Sequence, residues 1–207
     1  MSLVIAIDGP AAAGKGTLAR RLAAELGLKH LDTGLLYRAV ARRVLDANAD
    51  PADPAAAEHA AVDLGLEDLE RSDLRGPPVD AASSAVARHP RVRAALLAFQ
   101  RRFPGEVGAV LDGRDIGTVV FPEAPVKLFV TADLAARARR RWRELGGAVS
   151  FDAVEAEMRA RDERDSNRGV APLRAAPDAA VLDTTDLDPE AAYVTARRIV
   201  QERTGFP

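Results

Sequence analysis

Residues 7–22, "IDGPAAAGKGTLARRL", decide the fold. They overlap the apolar run "LVIAI" of residues 3–7, which is typical of a strand buried on both faces of a parallel sheet. Beyond the glycines, Leu18, Leu22 and Leu26 recur at every fourth position until Gly27, as on one face of a helix that ends at a glycine. A strand, a glycine-rich loop and a helix in this order predict the first unit of an α/β fold.

The loop between this strand and this helix has the spacing of a phosphate-binding loop. Gly9, Gly14 and Lys15 satisfy the pattern G-x-x-x-x-G-K. Backbone N–H groups and the positive end of the helix then face an anion, and the lysine reaches the outer phosphates. The residues predicted to bind ATP are Gly9, Pro10, Ala11, Ala12, Ala13, Gly14, Lys15, Gly16 and Thr17.

The end of the loop departs from the strict motif, in which a Ser or Thr hydroxyl contacts Mg²⁺ directly after the lysine. Gly16 takes that place here and Thr17 follows. The form "GKGT" is similar to that of nucleoside monophosphate kinases such as adenylate kinase. We therefore expect Mg²⁺ to be carried by ATP near Thr17, with no direct metal ligand from the chain. A GTPase switch is disfavoured because the sequence has no N-K-x-D guanine motif.

The bulk composition limits the classes of function. The 207 residues are 47% hydrophobic, enough for one well-buried domain. The net charge of -2 disfavours a general nucleic-acid-binding surface. Cysteine is absent, which excludes disulfides and thiolate metal sites, and the chain starts with no long apolar segment. We expect a monomeric cytoplasmic protein that binds no nucleic acid and no membrane.

Further strands and helices alternate along the chain. Strand-like segments are "LKHLD", "VGAVLDGRD", "APVKLFVTA" and "DAAVLDTT"; helical patterns cover about residues 35–45, 79–87 and 91–103, and a last helix is capped by Asp188. Residues 47–78 indicate a surface excursion, and the charged residues 150–168 an exposed helix or mobile flap. We predict a three-layer P-loop fold with a five-stranded parallel sheet between helices.

Arginines beside strand ends and helix starts indicate a second phosphate-bearing substrate, because a guanidinium grips phosphate through paired N–H groups. "LDTGLLYR" brings Arg38 and places Thr33 at a helix N-cap, and "HPRVRAALL" brings Arg93. "LDGRDIGTVVFP" and "ARDERDSNRGVAPL" add the remaining candidates, which are Arg114, Asp115, Arg161, Asp165 and Arg168.

At these residues the chain resembles the bacterial cytidylate kinases. The resemblance rests on "IDGPAAAGKGT", "LDTGLLYR", "PRVR", "DGRDIGTVVFPEAPVK" and "RDERDSNRGVAPL", in this order over nearly the whole length. It implies an ATP-dependent transfer of phosphate to CMP and dCMP in pyrimidine nucleotide metabolism. It also implies one kinase domain over residues 1–207, with a core of 1–46, 89–145 and 170–207, a monophosphate-binding insert at about 47–88 and a lid at about 146–169.

The resemblance further implies a role for each site residue. The phosphate of CMP lies between Arg38, Arg114 and Arg168, and the ribose hydroxyls meet Arg161 and Asp165. The base meets Ser84, Arg93 and Asp115, and Thr33 completes the CMP-binding residues. The catalytic residues are Lys15, Arg137, Arg141 and Arg168. A carboxylate at position 115 accepts from the amino group of cytosine, whereas uracil presents a carbonyl oxygen there.

Three features leave alternatives open. The segment "DLGLEDLERSDLRGPPVDAAS" is shorter than the hairpin-bearing insert of the family, a difference that bears on closure over the base. The run "RARRRWR", with Arg137, Arg140 and Arg141, also fits a solvated face or an RNA patch, and Trp142 is interpreted as packing. A P-loop kinase for a sugar or shikimate would share the loop but not require Arg93 and Asp115, and an RNA-binding module would use the arginine run.

Overall fold

The computed structural model describes residues 2–62 and 64–205, and Met1, Asp63, Phe206 and Pro207 lie outside the described residues. The strands are β1 (Val4–Asp8), β2 (Lys29–Asp32), β3 (Ala109–Gly113), β4 (Val126–Thr131) and β5 (Ala180–Asp183). The α-helices are α1 (Lys15–Leu26), α2 (Thr33–Asp46), α3 (Pro54–Ala61), α4 (Pro77–Val86), α5 (Pro90–Arg102), α6 (Leu134–Glu144), α7 (Phe151–Ser166) and α8 (Pro189–Thr204). A 3₁₀ turn covers Glu67–Leu69 and a π-helical turn covers Ile116–Val120.

The five strands form one parallel sheet in the order β2-β3-β1-β4-β5. Strand β1 is central: Asp8 is in register with Gly113 of β3 and with Phe129 of β4. The carboxyl ends of β1, β3 and β4 therefore meet at one edge of the sheet, where ligands bind in folds of this type. The predicted three-layer P-loop fold and its five strands are confirmed.

The chain divides into two compact units, Met1–Leu31 with Pro104–Pro207, and Asp32–Phe103. The first unit carries the apolar core around the sheet. Residues of β1 and α1 lie in this core, including Ile5, Ile7 and Leu22, each at most 1% exposed. Helix α8 adds Tyr193 and Val200. Strand β1 is buried along its whole length, as its continuous apolar run predicts.

The second unit consists of helices α2 to α5, and it corrects one expectation. Residues 47–78 are not only a surface excursion, because they include α3, which buries Ala57 and packs against α2 and α5. Leu74, further along, is 2% exposed. Asp53 caps α3 by accepting from the N–H of Ala55 at 2.9 Å, and Pro54 occupies the first helical position. A buried face made of alanine gives a weak apolar pattern, which is why this helix was missed.

The starts of two other helices test the predicted caps. Helix α8 begins as predicted, since Asp188 accepts from the N–H of Ala191 at 2.7 Å. Helix α2 does not: Asp32 is its N-cap and accepts from the N–H of Gly34 at 2.9 Å, whereas Thr33 is the first helical residue. The prediction of Thr33 as the cap was therefore wrong by one residue, because Asp caps at least as well as Thr.

The second unit also includes α2 and α5, which the sequence analysis assigned to the core. The division into core, insert and lid stays a prediction. Residues 47–62 and 64–88, the described part of that insert, contain two α-helices and a 3₁₀ turn and no strand. No helix within the described residues is both long enough and apolar enough to cross a membrane.

Candidate active site

The glycine-rich loop has the backbone of a phosphate cradle. Gly9 has φ +148° and an added Cβ would overlap the carbonyl oxygen of Val130, so only glycine fits. Gly14 ends the loop in the left-handed region with φ 92° and precedes α1. The Nζ of buried Lys15 donates to the carbonyl of Pro10 at 2.6 Å, which folds the lysine back over its own loop. The amino end of α1 and the ammonium group thus lie at the same loop, as phosphate binding requires.

Asp8, directly before this loop, is a site residue that the sequence analysis missed. Its side chain is buried, and its two oxygens accept from the N–H groups of Ile116 and Gly117, each at 2.7 Å. Burial raises the pKa of Asp8 to about 6, against the two backbone hydrogen bonds, which lower it. Asp115 raises this pKa further and Lys15 lowers it. The only available signal was its place before Gly9 at the end of an apolar run.

Asp112, near the carboxyl end of β3, lies close to Gly16 at the end of the loop. An added Cβ on Gly16 would come within 3.8 Å of its Oδ1 atom. Its Oδ2 atom lies 2.8 Å from Nε2 of His30 on β2. Mg²⁺ prefers hard oxygen atoms such as those of a carboxylate, and the carboxylate of Asp112 lies beside Gly16, directly before Thr17. The residues present therefore fit a magnesium ion carried by ATP.

Arg137 on α6 is buried against the loop. It is 5% exposed, and its guanidinium donates to the carbonyl of Ala132 at 2.8 Å and to that of Ala11, in the loop, at 3.3 Å. Its third contact is an ion pair with Asp162 of α7, with Nη2 and Oδ2 2.7 Å apart. A buried arginine held by a loop carbonyl and by a carboxylate is not a solvated surface position. It joins the phosphate loop to α7.

Helix α7 also reaches the turn that follows β3. Nε of Arg114 lies 2.8 Å from Oδ2 of Asp165, and Nε of Arg168 donates to the carbonyl of Asp165 at 3.3 Å. Burial raises the pKa of Asp165, but Arg114 and its hydrogen bond, with Arg168 and Arg161, lower it more, so the net shift is downward. Four of the residues predicted to bind CMP thus lie together, and we call them the Arg114 cluster: Arg114, Arg161, Asp165 and Arg168. Asp115, next to Arg114, is buried.

The turn after β5 is a second feature that the sequence analysis missed. Thr184 is 4% exposed, and its hydroxyl donates to the carbonyls of Ala13, in the phosphate loop, and of Thr131, each at 3.1 Å. Arg140 of α6 donates to the carbonyl of Thr184 at 2.5 Å. Thr184 therefore binds the phosphate loop at Ala13, and Arg140 holds Thr184 in place. In the sequence, "DTT" at residues 183–185 indicates only the end of a strand and not a contact with the phosphate loop.

Two other residues of the arginine run differ from Arg137. Arg141 is 36% exposed along its side chain and forms an ion pair with Glu144 at 3.2 Å. Trp142 donates its indole N–H to the carbonyl of Val149 at 2.9 Å, which joins the two ends of the turn between α6 and α7. The catalytic role predicted for Arg141 stays a prediction.

The second unit carries the other predicted CMP residues. Arg38 of α2 donates to the carbonyl of Leu74 at 3.0 Å and forms an ion pair with Asp80 of α4. Arg93 is 9% exposed and stacks over the ring of Tyr37, with 5.7 Å between its guanidinium carbon and the ring centroid. Arg93 is therefore a buried position of α5 and not a solvated one.

Ser84 and Thr33 complete the set in this unit. The hydroxyl of Ser84 donates to the carbonyl of Asp80, one turn earlier in α4, at 3.2 Å. Thr33 is 4% exposed at the start of α2. The structure thus gathers the phosphate loop, Arg137 and the Arg114 cluster within the first unit, and it places Thr33, Arg38, Ser84 and Arg93 in the second. The assignment of each residue to ATP or CMP stays a prediction.

Comparison with known proteins identifies the family of the chain. A family model described as cytidylate kinase matches residues 5–201. The chain is 64% identical to the cytidylate kinase of Granulibacter bethesdensis over 206 residues, covering 98% of this chain and 99% of the relative. It is 63% identical to the cytidylate kinase of Acidiphilium cryptum over 203 residues, covering 97% and 96%.

A solved structure also shares the fold. The crystal structure of an uncharacterized protein from Eubacterium ventriosum matches with a TM-score of 0.56 at 13% identity, over 99% of this chain and 100% of that one. Its low identity limits this likeness to the fold.

Proposed function

The chain belongs to the cytidylate kinase family, and from this membership we propose that it transfers the terminal phosphate of ATP to CMP and to dCMP. The products are ADP with CDP or dCDP. One observation carries the proposal: the first unit contains both a phosphate loop and the Arg114 cluster. Lys15 and Arg137 are buried at the loop, and Asp115 lies beside the cluster. This grouping supplies charge for a donor phosphate and a carboxylate for a base.

The reaction needs no general base. An oxygen of the CMP phosphate is already anionic and attacks the γ-phosphorus of ATP; the new O–P bond forms while the bond to the β-phosphate bridging oxygen breaks, and ADP leaves with that electron pair. The task of the protein is to align the two phosphates and to neutralise their charge. Lys15 and Arg137 would face the transferred phosphoryl group, with Arg141 and Arg168 beside them.

Magnesium has a place in this proposal. When bound with ATP, Mg²⁺ supplies charge neutralisation on the β- and γ-phosphates. It would be carried by ATP near Thr17, with the carboxylate of Asp112 close enough to favour its charge, and the lack of a Cβ on Gly16 supports this because it leaves room beside Asp112. Backbone N–H groups of residues 9–17 would bind the phosphate oxygens.

The acceptor residues would act by their chemistry. Arg38, Arg114 and Arg168 would bind the CMP phosphate, and Arg161 and Asp165 the ribose. Ser84, Arg93 and Asp115 would recognise cytosine, with Thr33 beside them. In support, Arg38 and Arg114 already bind carboxylates, Asp80 and Asp165, which have the planar paired oxygens that a guanidinium selects. Phosphate oxygens would replace these partners.

Helix α7 would serve as the lid over the reaction. Its contacts to Arg137 through Asp162 and to Arg114 through Asp165 support this role, because both arginines belong to the proposed site. Closure would exclude water that otherwise hydrolyses ATP. We also infer that the protein acts in the cytoplasm as a monomer whose ligands are nucleotides, without nucleic acid or membrane partners. Size-exclusion chromatography with light scattering tests the monomer.

The experiment that tests the function measures phosphate transfer from ATP to each nucleoside monophosphate, to shikimate and to a sugar. We expect CMP and dCMP to be the best acceptors. Transfer to shikimate or a sugar would instead support another small-molecule kinase. Steeply salt-dependent RNA binding without nucleotide turnover would support an RNA-binding module.

A further inference from the structure

The feature that carries a further inference is the pair of hydrogen bonds made by Asp8. Its carboxylate is 4% exposed and accepts from the N–H of Ile116 with Oδ1 and from the N–H of Gly117 with Oδ2, both at 2.7 Å. These donors are more than one hundred residues away in sequence. The carboxylate therefore fixes a distant turn to the end of β1.

The turn held in this way follows directly after the two residues proposed to bind CMP. Ile116 and Gly117 open the π-helical turn Ile116–Val120, and the side chain of Asp115 does not cap it. The carbonyl of Asp115 accepts from the N–H groups of Val119 and Val120, which closes the turn behind it. Without Asp8, two buried N–H groups at the start of the turn would lose their acceptor, which is costly.

The surroundings leave this carboxylate little freedom. Asp8 is in register with Gly113 on one side and with Phe129 on the other, so β1 cannot shift. An added Cβ on Gly117 would lie 3.4 Å from Oδ2 of Asp8 and 3.2 Å from Cδ of Lys127. The contact with Lys127 is the tight one, so a Cβ at this position would require the Lys127 side chain or the turn to move by a few tenths of an ångström. The two hydrogen bonds of Asp8 therefore fix the position of the turn, and the side chain of Lys127 restricts its movement at Gly117.

We propose that Asp8 is a positioning residue for the acceptor nucleotide, which aims Arg114 and Asp115 at the phosphate and base of CMP by holding the first two N–H groups of the turn behind them. The inference rests on the proposed function of these two residues. It goes beyond the phosphate loop, on which the Asp8 carboxylate acts through the charge of Lys15, because its two hydrogen bonds run to the turn after Asp115. A change at Asp8 should accordingly alter CMP binding and base selectivity more than ATP binding.

The variant Asp8→Asn tests this because it keeps the shape of the side chain and replaces one acceptor by an NH₂ donor that faces a backbone N–H. KM and kcat are measured with CMP and with UMP as acceptors, and KM is measured for ATP. We expect the KM for CMP to rise about tenfold, the loss of one charge-assisted hydrogen bond. We expect the ratio of kcat/KM for CMP to that for UMP to fall at least about fivefold, with the KM for ATP changed less than about twofold.

Two further variants keep the test decisive. Asp188→Ala removes a carboxylate-to-backbone bond of the same 2.7 Å length at the start of α8, and its kinetic constants should equal those of the wild type. Gly117→Ala crowds the same turn without changing Asp8, and it should reproduce the CMP-specific defect, including in the event that Asp8→Asn does not fold.

The outcomes separate the inference from the function on which it rests. Unchanged selectivity and an unchanged KM for CMP in Asp8→Asn and Gly117→Ala, beside a wild type that phosphorylates CMP, would overturn the inference alone. An equal loss for CMP, UMP and ATP would show a merely structural role and would also overturn it. A wild type that does not phosphorylate CMP would contradict the proposed function and the inference with it.

Discussion

Two buried cations define the phosphate loop at the scale of single residues. Lys15 donates to the carbonyl of Pro10 and Arg137 donates to that of Ala11, so both charges lie against the loop backbone. Each is at most 6% exposed. A buried cation near a cradle of N–H groups gains most from an anion, because the surrounding dielectric is low.

The first prediction concerns Lys15. Substitution Lys15→Met keeps the length and apolar stem of the side chain and removes its charge, so kcat should fall by about 10² to 10³. Steady-state kinetics with ATP and CMP measure the loss. Lys29→Met, at an exposed lysine on β2, is the matched control and should keep full turnover. Retained activity in Lys15→Met would exclude Lys15 from the chemistry.

The second prediction concerns Asp115. Substitution Asp115→Ala removes the carboxylate that would accept from the amino group of cytosine. The preference for CMP over UMP, as a ratio of kcat/KM values, should fall roughly ten- to a hundredfold, since one mispaired buried polar contact is worth about 1 to 3 kcal/mol. ATP binding should change little. An unchanged ratio would remove Asp115 from base recognition.

Individual site residues were predictable only where a local motif marks them. Lys15 and the glycines of the loop follow from spacing alone, and the positions of Arg114 and Asp115 follow from a strand end. The sequence analysis missed three carboxylates whose partners lie far along the chain. Asp8 accepts a hydrogen bond from Gly117, Asp112 is hydrogen-bonded to His30, and Asp162 pairs with Arg137. A short motif carries no information about contacts of this kind.

At the scale of elements, helix α7 depends on a few contacts. It buries only Val154 and Met158, which pack on Ala138 of α6 in a small apolar cluster. The pairs of Asp162 with Arg137 and of Asp165 with Arg114 add to this packing. A helix held by so little apolar area is expected to open locally before the core unfolds.

The third prediction concerns the ion pair between Asp162 and Arg137, which helps to hold α7 in place. Substitution Asp162→Ala leaves the guanidinium of Arg137 without its carboxylate partner, whose side chain is only 24% exposed. The free energy of opening α7 should fall by about 1 to 3 kcal/mol, a value reduced from that of a fully buried pair because Asp162 is partly exposed. Hydrogen exchange of the α7 amides measures it.

A matched control lies on the same helix. Glu155→Ala removes a carboxylate of similar exposure from its pair with Arg159, one turn away at 2.7 Å, but this arginine is 61% exposed whereas Arg137 is 6% exposed. Pairs of this kind contribute about 0.3 to 0.5 kcal/mol, so exchange in α7 should hardly change. Equal effects of the two substitutions would show that the Arg137 pair does not hold the helix.

The strands and most helices were predictable because their apolar patterns are strong. Strands β1 and β3 begin as continuous apolar runs, β4 is apolar except for Lys127 and its last residue, and most helices repeat their apolar residues at every third or fourth position. Helix α3 was missed because its buried face is alanine, and the cap of α2 was misplaced because Asp32 and Thr33 are both good capping residues.

At the scale of the whole molecule, stability should depend on pH through Asp8. Burial raises its pKa from 3.8 to about 6 in the folded state, so the folded chain binds its proton more tightly than the unfolded chain. The stability that this group contributes is full below pH 3.8 and is lost as pH rises through about 6. Asp165, whose pKa is lowered, acts in the opposite sense and loses its contribution as pH falls.

The fourth prediction isolates the Asp8 part. The free energy of unfolding of the wild type minus that of Asp8→Asn should fall by about 2.4 kcal/mol between pH 4 and pH 7, most of the full effect of a shift from 3.8 to about 6 at 1.36 kcal/mol per unit. Urea unfolding at several pH values measures this difference, in which the other carboxylates cancel. A difference that stays constant across this range would contradict the raised pKa.

The two compact units carry different parts of the proposed chemistry. The first contains the phosphate loop, Arg137 and the Arg114 cluster, and the second contains Thr33, Arg38, Ser84 and Arg93. The fold and the donor half of the reaction follow from one stretch of sequence, residues 7–22. The identity of the acceptor follows from motifs that are spread along the chain, from Thr33 to Arg168.

The most direct test is therefore the acceptor panel. Initial rates of phosphate transfer from ATP are measured at equal concentrations of CMP, dCMP, UMP, AMP and GMP, with ADP formation as the readout. We expect CMP and dCMP to be phosphorylated fastest and UMP to be slower by roughly ten- to a hundredfold, the factor that corresponds to the loss of the Asp115 contact. A clear preference for AMP or GMP would contradict this expectation.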